Sequence, residues 1–199
     1  MNRRSFLATA VTGAAAVILP SRKAHAYVPA GLLFPIPWPA YLGELYGYGL
    51  DWVKDCPTNS GLWKKHTGVD IRCSVNTPVY ATYWGTVKAV DWSDRDYPEK
   101  WQKFVTVAHG VAGPNLYGEW WTSTYHHIIP AVNAGNWVHR GQIIGYTAKI
   151  NTTAHLHFGI RDSSYTNTSN AGALPRAICG GYPAFPEYFR NPWSMSYSS

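Results

Sequence analysis

The chain has 199 residues, and its 17 Lys+Arg against 11 Asp+Glu give a formal charge of +6. Arg3, Arg4, Arg22 and Lys23 all precede residue 27, so the remainder carries thirteen basic against eleven acidic side chains with no basic run; this excludes a nucleic-acid surface built on bulk charge. Ten Trp, fourteen Tyr, eighteen Gly and fourteen Pro leave little room for long helices and predict a mainly β chain.

In chain order, Arg3-Arg4 stand before Ser5-Phe6-Leu7. A mildly apolar stretch over 7–19 follows, and Ala24-His25-Ala26 then places small residues two apart. A positive start, a short apolar middle and a small-residue end are the three parts of an export signal. Residues 1–26 are therefore expected to be a cleaved leader, and the arginine pair resembles the twin-arginine type. The apolar stretch is too short to predict a stable membrane span. A periplasmic or secreted location is expected.

Residues 27–60 are rich in Pro, Gly and aromatics without a helical period, and predict an irregular N-terminal arm on the domain surface. Short strands are predicted over 68–72, 78–83, 86–90, 104–109, 121–128, 142–146 and 155–160, each bounded by turn residues. The run at 104–109 is apolar on both faces in its middle, as a central strand would be. Residues 91–100 read as a charged loop in a long hairpin connection, and 163–170 as an exposed Ser/Thr/Asn-rich loop. Residues 61–199 are thus expected to form a single compact antiparallel β-sheet domain with a groove. The cysteines, Cys56, Cys73 and Cys179, are odd in number, so one internal disulfide at most can form; the nearest pair is Cys56 with Cys73. No CxxC motif supports a structural zinc knot.

Seven histidines follow the leader: His66, His109, His126, His127, His139, His155 and His157. His155-Leu156-His157 lies in a predicted strand, where residues two apart share a face about 6.5–7 Å apart. That spacing suits one metal ligand and one neighbour, with Leu156 and Phe158 facing an apolar side. In His66-Thr67-Gly68-Val69-Asp70, Gly68 is expected to let the chain turn so that His66 and Asp70 converge. Two imidazoles and a carboxylate suit one zinc ion and leave its fourth position open for water. No HExxH helix is present.

These two motifs resemble the signatures of the lysostaphin/LytM-type peptidoglycan endopeptidases. Elements between and after them are similar in order: Asn76-Thr77-Pro78-Val79-Tyr80-Ala81, Val105-Thr106-Val107-Ala108-His109-Gly110, Tyr125-His126-His127-Ile128, Val138-His139-Arg140-Gly141-Gln142 and Asn191-Pro192-Trp193. The resemblance implies that His66, Asp70 and His157 hold one zinc ion and that His127 and His155 are the non-ligand catalytic pair. Strand alternation places Tyr125 and His127 on one face and turns His126 away. Tyr125, His109 and His139 are assigned to packing. The chain departs from the family in a glycine-poor stretch at 147–154, in the insertion at 91–100 and in Cys73.

The implied activity is zinc-dependent hydrolysis of peptide cross-links or stem peptides in bacterial peptidoglycan, with peptidoglycan as partner and an activator protein compatible with it. The alternatives are a non-catalytic wall-binding or regulatory relative, and a secreted zinc-binding β protein that leaves His127 and His155 without a task. In some relatives an arm asparagine occupies the open zinc position; Asn59 is the nearby candidate.

Overall fold

The computed structural model describes residues 30–49, 51–53, 64–93, 98–110, 119–150, 152–165 and 189–198. The expected leader, Cys56, Asn59 and Cys179 lie outside the described residues. The molecule is mainly β, built on one large antiparallel sheet. Its strands run in the order Trp137–Val138, Gly85–Trp92, Lys103–Gly110, Glu119–Pro130, Thr153–Arg161, Gly68–Arg72 and Glu44–Tyr46. Ile143–Thr147 joins off this path, pairing with both Pro78–Tyr80 and the far end of Glu119–Pro130.

Alternation sorts the central strands into two faces. Leu156 pairs with Ile71 and Phe158 with Val69, and these four side chains are fully buried in the core with Tyr125, Val105 and Val107. Burying each large apolar side chain contributes about 1.5–3 kcal/mol. The intervening residues Asp70, His155 and His157 therefore project from the opposite face, where they cannot be traded for apolar groups without slipping the register.

The arm departs from the sequence expectation. It is not only a surface feature: Leu32, Phe34 and Ile36 are buried in the core. Glu44–Tyr46 also extends the sheet by pairing with Gly68–Arg72. The single parallel pair among the described residues, Leu32–Leu33 with Tyr197–Ser198, ties the arm to the C-terminal end. The charged connection also differs, since Gly85–Trp92 runs into it and Pro98–Trp101 forms a helical turn. Cys73 is a buried free thiol, so the expected bridge to Cys56 is not made.

On the core side His109 is fully buried. Its ring stacks on Trp121 at 3.8 Å, its Nδ1–H donates to the Trp84 carbonyl at 2.7 Å, and its Nε2 lies 2.7 Å from the Ser123 hydroxyl. That hydroxyl lies 2.9 Å from the Tyr125 hydroxyl, which accepts the Thr82 N–H at 2.8 Å. Burial pushes the His109 pKa down to about 3. The unfolded chain binds this proton near pH 6.5, so the stabilisation is complete above pH 6.5 and is lost as pH falls toward 3. The loss is about 1.4 kcal/mol per unit, or roughly 2–3 kcal/mol by pH 4.5. Denaturant unfolding of the metal-free protein from pH 7.5 to 4.5 should show this, with a shallower pH slope in His109→Asn. An unchanged slope in that variant would rule out His109 as the acid-sensitive group.

Candidate metal centre

Three side chains converge on the polar face of the sheet. His66 Nε2 and His157 Nδ1 are 2.9 Å apart, and they lie 3.1 and 3.0 Å from Asp70 Oδ1. All three residues are buried, and their ligand atoms fall within metal-binding distance of one another. Asp70 and His157 are cross-strand partners in the Gly68–Arg72 and Thr153–Arg161 pair, so sheet pairing alone sets them together.

His66 reaches them from outside the strand. Residues 66 and 67 lie between the strands Lys64–Lys65 and Gly68–Arg72 and belong to neither. Gly68 itself lies in the strand, so it does not supply the turn expected of it. Its task is close approach: a Cβ at this position would meet the Phe158 carbonyl oxygen at 2.3 Å and His157 Nε2 at 2.9 Å. The bare Cα lets the His157 ring lie across the strand pair.

The arm fixes His66. Its Nδ1–H donates to the Gly47 carbonyl at 2.9 Å, which leaves Nε2 as the lone-pair nitrogen facing Asp70. Tyr46 packs edge-on against the ring at 5.1 Å. Burial alone would raise the Asp70 pKa, but the His157 and His66 rings set against Oδ1 outweigh it and hold the carboxyl well below the usual carboxylate range. Burial lowers the pKa of His157. An ionised carboxylate beside a neutral imidazole is the protonation state that metal ligation needs.

The donor set fits zinc. Tetrahedral ligation at about 2.0–2.1 Å separates donor atoms by roughly 3.3 Å. The triangle seen here needs to open by only a few tenths of an ångström. Cys73 is not part of the group.

The histidine pair at 126 and 127 overturns the alternation argument. His126 is the cross-strand partner of both His157 and Phe104, whereas Ile128 pairs with Lys103 and Thr147. His127 is thus the extra residue of a β-bulge, with a φ of 65°. It sits where the Glu119–Pro130 strand leaves one neighbour and takes up another. A bulge cancels the two-residue period, so both histidines reach the polar face. His126 lies 5.2 Å from the His157 ring, and His127 lies 4.7 Å from His155 and 6.4 Å from His157. Tyr125 goes to the other face, against Phe158 at 5.4 Å. The expectation that Tyr125 and His127 share a face while His126 points away is therefore incorrect.

His127 is held by its surroundings: its Nδ1–H donates to the Trp101 carbonyl at 2.8 Å, and its own carbonyl accepts the Ala148 N–H at 2.9 Å. Nε2 is left as the available nitrogen. Burial first and His155 second push its pKa down to about 3. His155 Nε2 lies 3.9 Å from Asp70 Oδ2, the carboxylate oxygen outside the triangle. Burial lowers the His155 pKa as well. The site therefore holds three converging ligand atoms and two neutral imidazoles beside them. His139 is exposed and takes no part.

Sequence reasoning missed the groups that orient these rings: the Gly47 and Trp101 carbonyls, Tyr46, and Ser93, whose hydroxyl lies 3.1 Å from His126 Nδ1. Backbone carbonyls carry no side-chain signature, and Ser93 lies thirty-three residues away in sequence.

Residues 64–170 match the model of Peptidase family M23, more than half of the chain. Lysostaphin of Staphylococcus staphylolyticus is 30% identical over 140 residues, which are 69% of this chain and 26% of that protein. The chain thus spans about a quarter of the length of the curated relatives it matches. Among solved structures, the catalytic domain of the antimicrobial peptidase lysostaphin from Staphylococcus simulans is 28% identical, with a TM-score of 0.48, covering 66% of this chain and 86% of that one. The SpoIIQ-SpoIIIAH pore forming complex has a TM-score of 0.54 at 15% identity, covering 84% of this chain and 92% of that one, a likeness of fold alone.

Proposed function

Since the chain belongs to Peptidase family M23, we propose that it is a zinc-dependent endopeptidase that hydrolyses peptide cross-links or stem peptides of bacterial peptidoglycan. The observation that carries this reading is the triangle of His66 Nε2, Asp70 Oδ1 and His157 Nδ1 with the His127–His155 pair at its edge. Likeness to lysostaphin supports a wall substrate. The leader-like pattern of residues 1–26 supports export to the periplasm or beyond.

His66, Asp70 and His157 would hold one zinc ion. Bound there, zinc would polarise a scissile carbonyl and lower the pKa of a bound water toward about 7. The histidine pair supplies what a bound metal alone does not. His127, with Nδ1–H committed to the Trp101 carbonyl, offers Nε2 to accept the proton of the attacking water and to return it to the departing amine. His155, whose ring packs against that of His127 at 4.7 Å, donates a hydrogen bond to the oxygen on which charge develops. Burial keeps both rings neutral in the resting state, as a proton acceptor and a neutral donor must be.

Digestion of purified peptidoglycan with the zinc-loaded protein, followed by mass spectrometry of the fragments, tests the proposal. New paired amino and carboxyl ends at a peptide bond are the expected result. An intact wall carrying bound protein would instead establish the non-catalytic, wall-binding reading.

A further inference from the structure

His126 has no part in the ligand triangle or in the catalytic pair, yet the regular register of this strand pair sets it directly across from the ligand His157. The two rings are 5.2 Å apart and nearly perpendicular, at 88°. His126 is 2% exposed and His157 4%. The Nε2 atoms of both rings are fully buried and have no hydrogen-bond partner. One such nitrogen is uncommon in a folded protein, because buried polar groups are nearly always hydrogen-bonded. Two on facing rings beside one metal centre point to a shared cause.

That cause follows from ligand chemistry. His157 faces the triangle with Nδ1, so as a neutral ligand it carries its proton on Nε2. A ligating histidine almost always donates its second N–H to an outer acceptor, which fixes the ring and raises its basicity. His66 does this with the Gly47 carbonyl; His157 has no carbonyl or carboxylate acceptor on Nε2 among the described residues.

We propose that His126 is a positioning residue for the metal centre: its Nε2 accepts the Nε2–H of His157 and holds that ring in its ligating orientation. The inference rests on the metal reading above and extends it. Two contacts prepare His126 for the task. Phe104 stacks on its ring at 4.9 Å, fixing the plane. Ser93 Oγ lies 3.1 Å from Nδ1; accepting the Nδ1–H hydrogen bond, it would leave Nε2 bare. Ser93 is itself anchored by its N–H on the Gln102 carbonyl at 2.7 Å. The rival acceptor on the same face is the Thr124 hydroxyl, also buried and without a partner, beside Gly159 in the next row.

Zinc affinity by chelator competition, together with the visible spectrum of the cobalt-substituted protein, tests this without reference to hydrolysis. His126→Phe keeps a ring but no nitrogen. It should weaken zinc binding by about 10–100-fold and shift the cobalt bands. His126→Gln, which restores an acceptor, should recover most of the affinity, and Thr124→Val should bind as the unaltered protein does. Near-ultraviolet circular dichroism establishes that each variant is folded; if His126→Phe is not, Ser93→Ala, which frees the His126 tautomer, should show a smaller loss in the same direction. Wild-type affinity with an unchanged cobalt spectrum in folded His126→Phe, or in Ser93→Ala where His126→Phe does not fold, overturns the proposal, as does a loss confined to Thr124→Val. Failure of the unaltered protein to bind zinc overturns the metal reading itself, and this proposal with it.

Discussion

His66→Ala should bind no stoichiometric zinc at micromolar metal and should show no hydrolysis of peptidoglycan, with the fold retained. Apparent zinc binding in four-ligand peptide sites is about 10–16 kcal/mol. One ligand of such a set therefore carries roughly 3–4 kcal/mol, a factor of ~100 to 1,000 in affinity. The loss should exceed that share here. His66 is the one ligand not set by sheet pairing: it lies between two strands and is held by the Gly47 carbonyl. Asp70 Oδ1 would also lose one of the two imidazole partners that keep it ionised. The core is untouched, because Val69, Ile71, Leu156 and Phe158 lie on the other face. Elemental analysis after dialysis, with thermal unfolding beside it, decides the matter. A folded variant with one equivalent of tightly bound zinc would remove His66 from the ligand set.

The polar face that carries Asp70 and His157 could be read from spacing because it depends on the most regular part of the molecule, whereas the choice of His157 over His155 and the place of His66 came from the family resemblance. Val69 and Ile71 alternate with Asp70, and Leu156 and Phe158 alternate with His157, so an apolar face and a polar face follow from a period of two. The Gly68–Arg72 strand has the bounds the sequence predicts. Features that depend on interrupted regularity were not legible. Nothing local to Tyr125-His126-His127-Ile128 marks a bulge, since no glycine or asparagine takes the positive φ there. The extra residue emerges only when the strand is aligned with Lys103–Gly110 on one side and with two successive partners on the other. The arm was opaque for a related reason. Gly43, Gly47 and Gly49 break up the pattern around Glu44–Tyr46, and the pairing that makes it a strand comes from residues more than twenty positions later.

The bulge also changes what the site is built from. A regular strand would offer one histidine to the metal face, and a choice between His126 and His127 would be forced. With the bulge both are used at different depths: His126 behind a ligand, in contact with Phe104 and Ser93, and His127 at the edge with His155. A positive φ on a histidine costs about 1–3 kcal/mol and persists only where its surroundings over-determine it. Here the Trp101 carbonyl and the Ala148 N–H supply that determination from both sides. The strain thus stands at the one place where it moves an imidazole into the site.

His155→Ala should separate binding from chemistry. The ligand triangle uses Asp70 Oδ1, whereas His155 approaches Oδ2 at 3.9 Å. Removing its ring leaves all three ligand atoms and their outer partners in place. One equivalent of zinc should be retained, with affinity within a few-fold of the unaltered protein, while hydrolysis falls by about 100- to 10,000-fold, the usual contribution of a positioned acid–base or hydrogen-bonding group. His127→Ala should do the same, because its ring stands 6.4 Å from His157 and touches no ligand atom of the triangle. The double variant should lose little more than either single one, since two groups that serve one proton transfer and one oxyanion act as a unit. Single-turnover digestion of peptidoglycan, scored by new amino ends and paired with zinc analysis, reads both quantities on the same sample. Undiminished hydrolysis in zinc-loaded His155→Ala would remove it from the chemistry; loss of zinc in step with activity would make it a ligand instead, and the division of labour between triangle and pair would have to be redrawn.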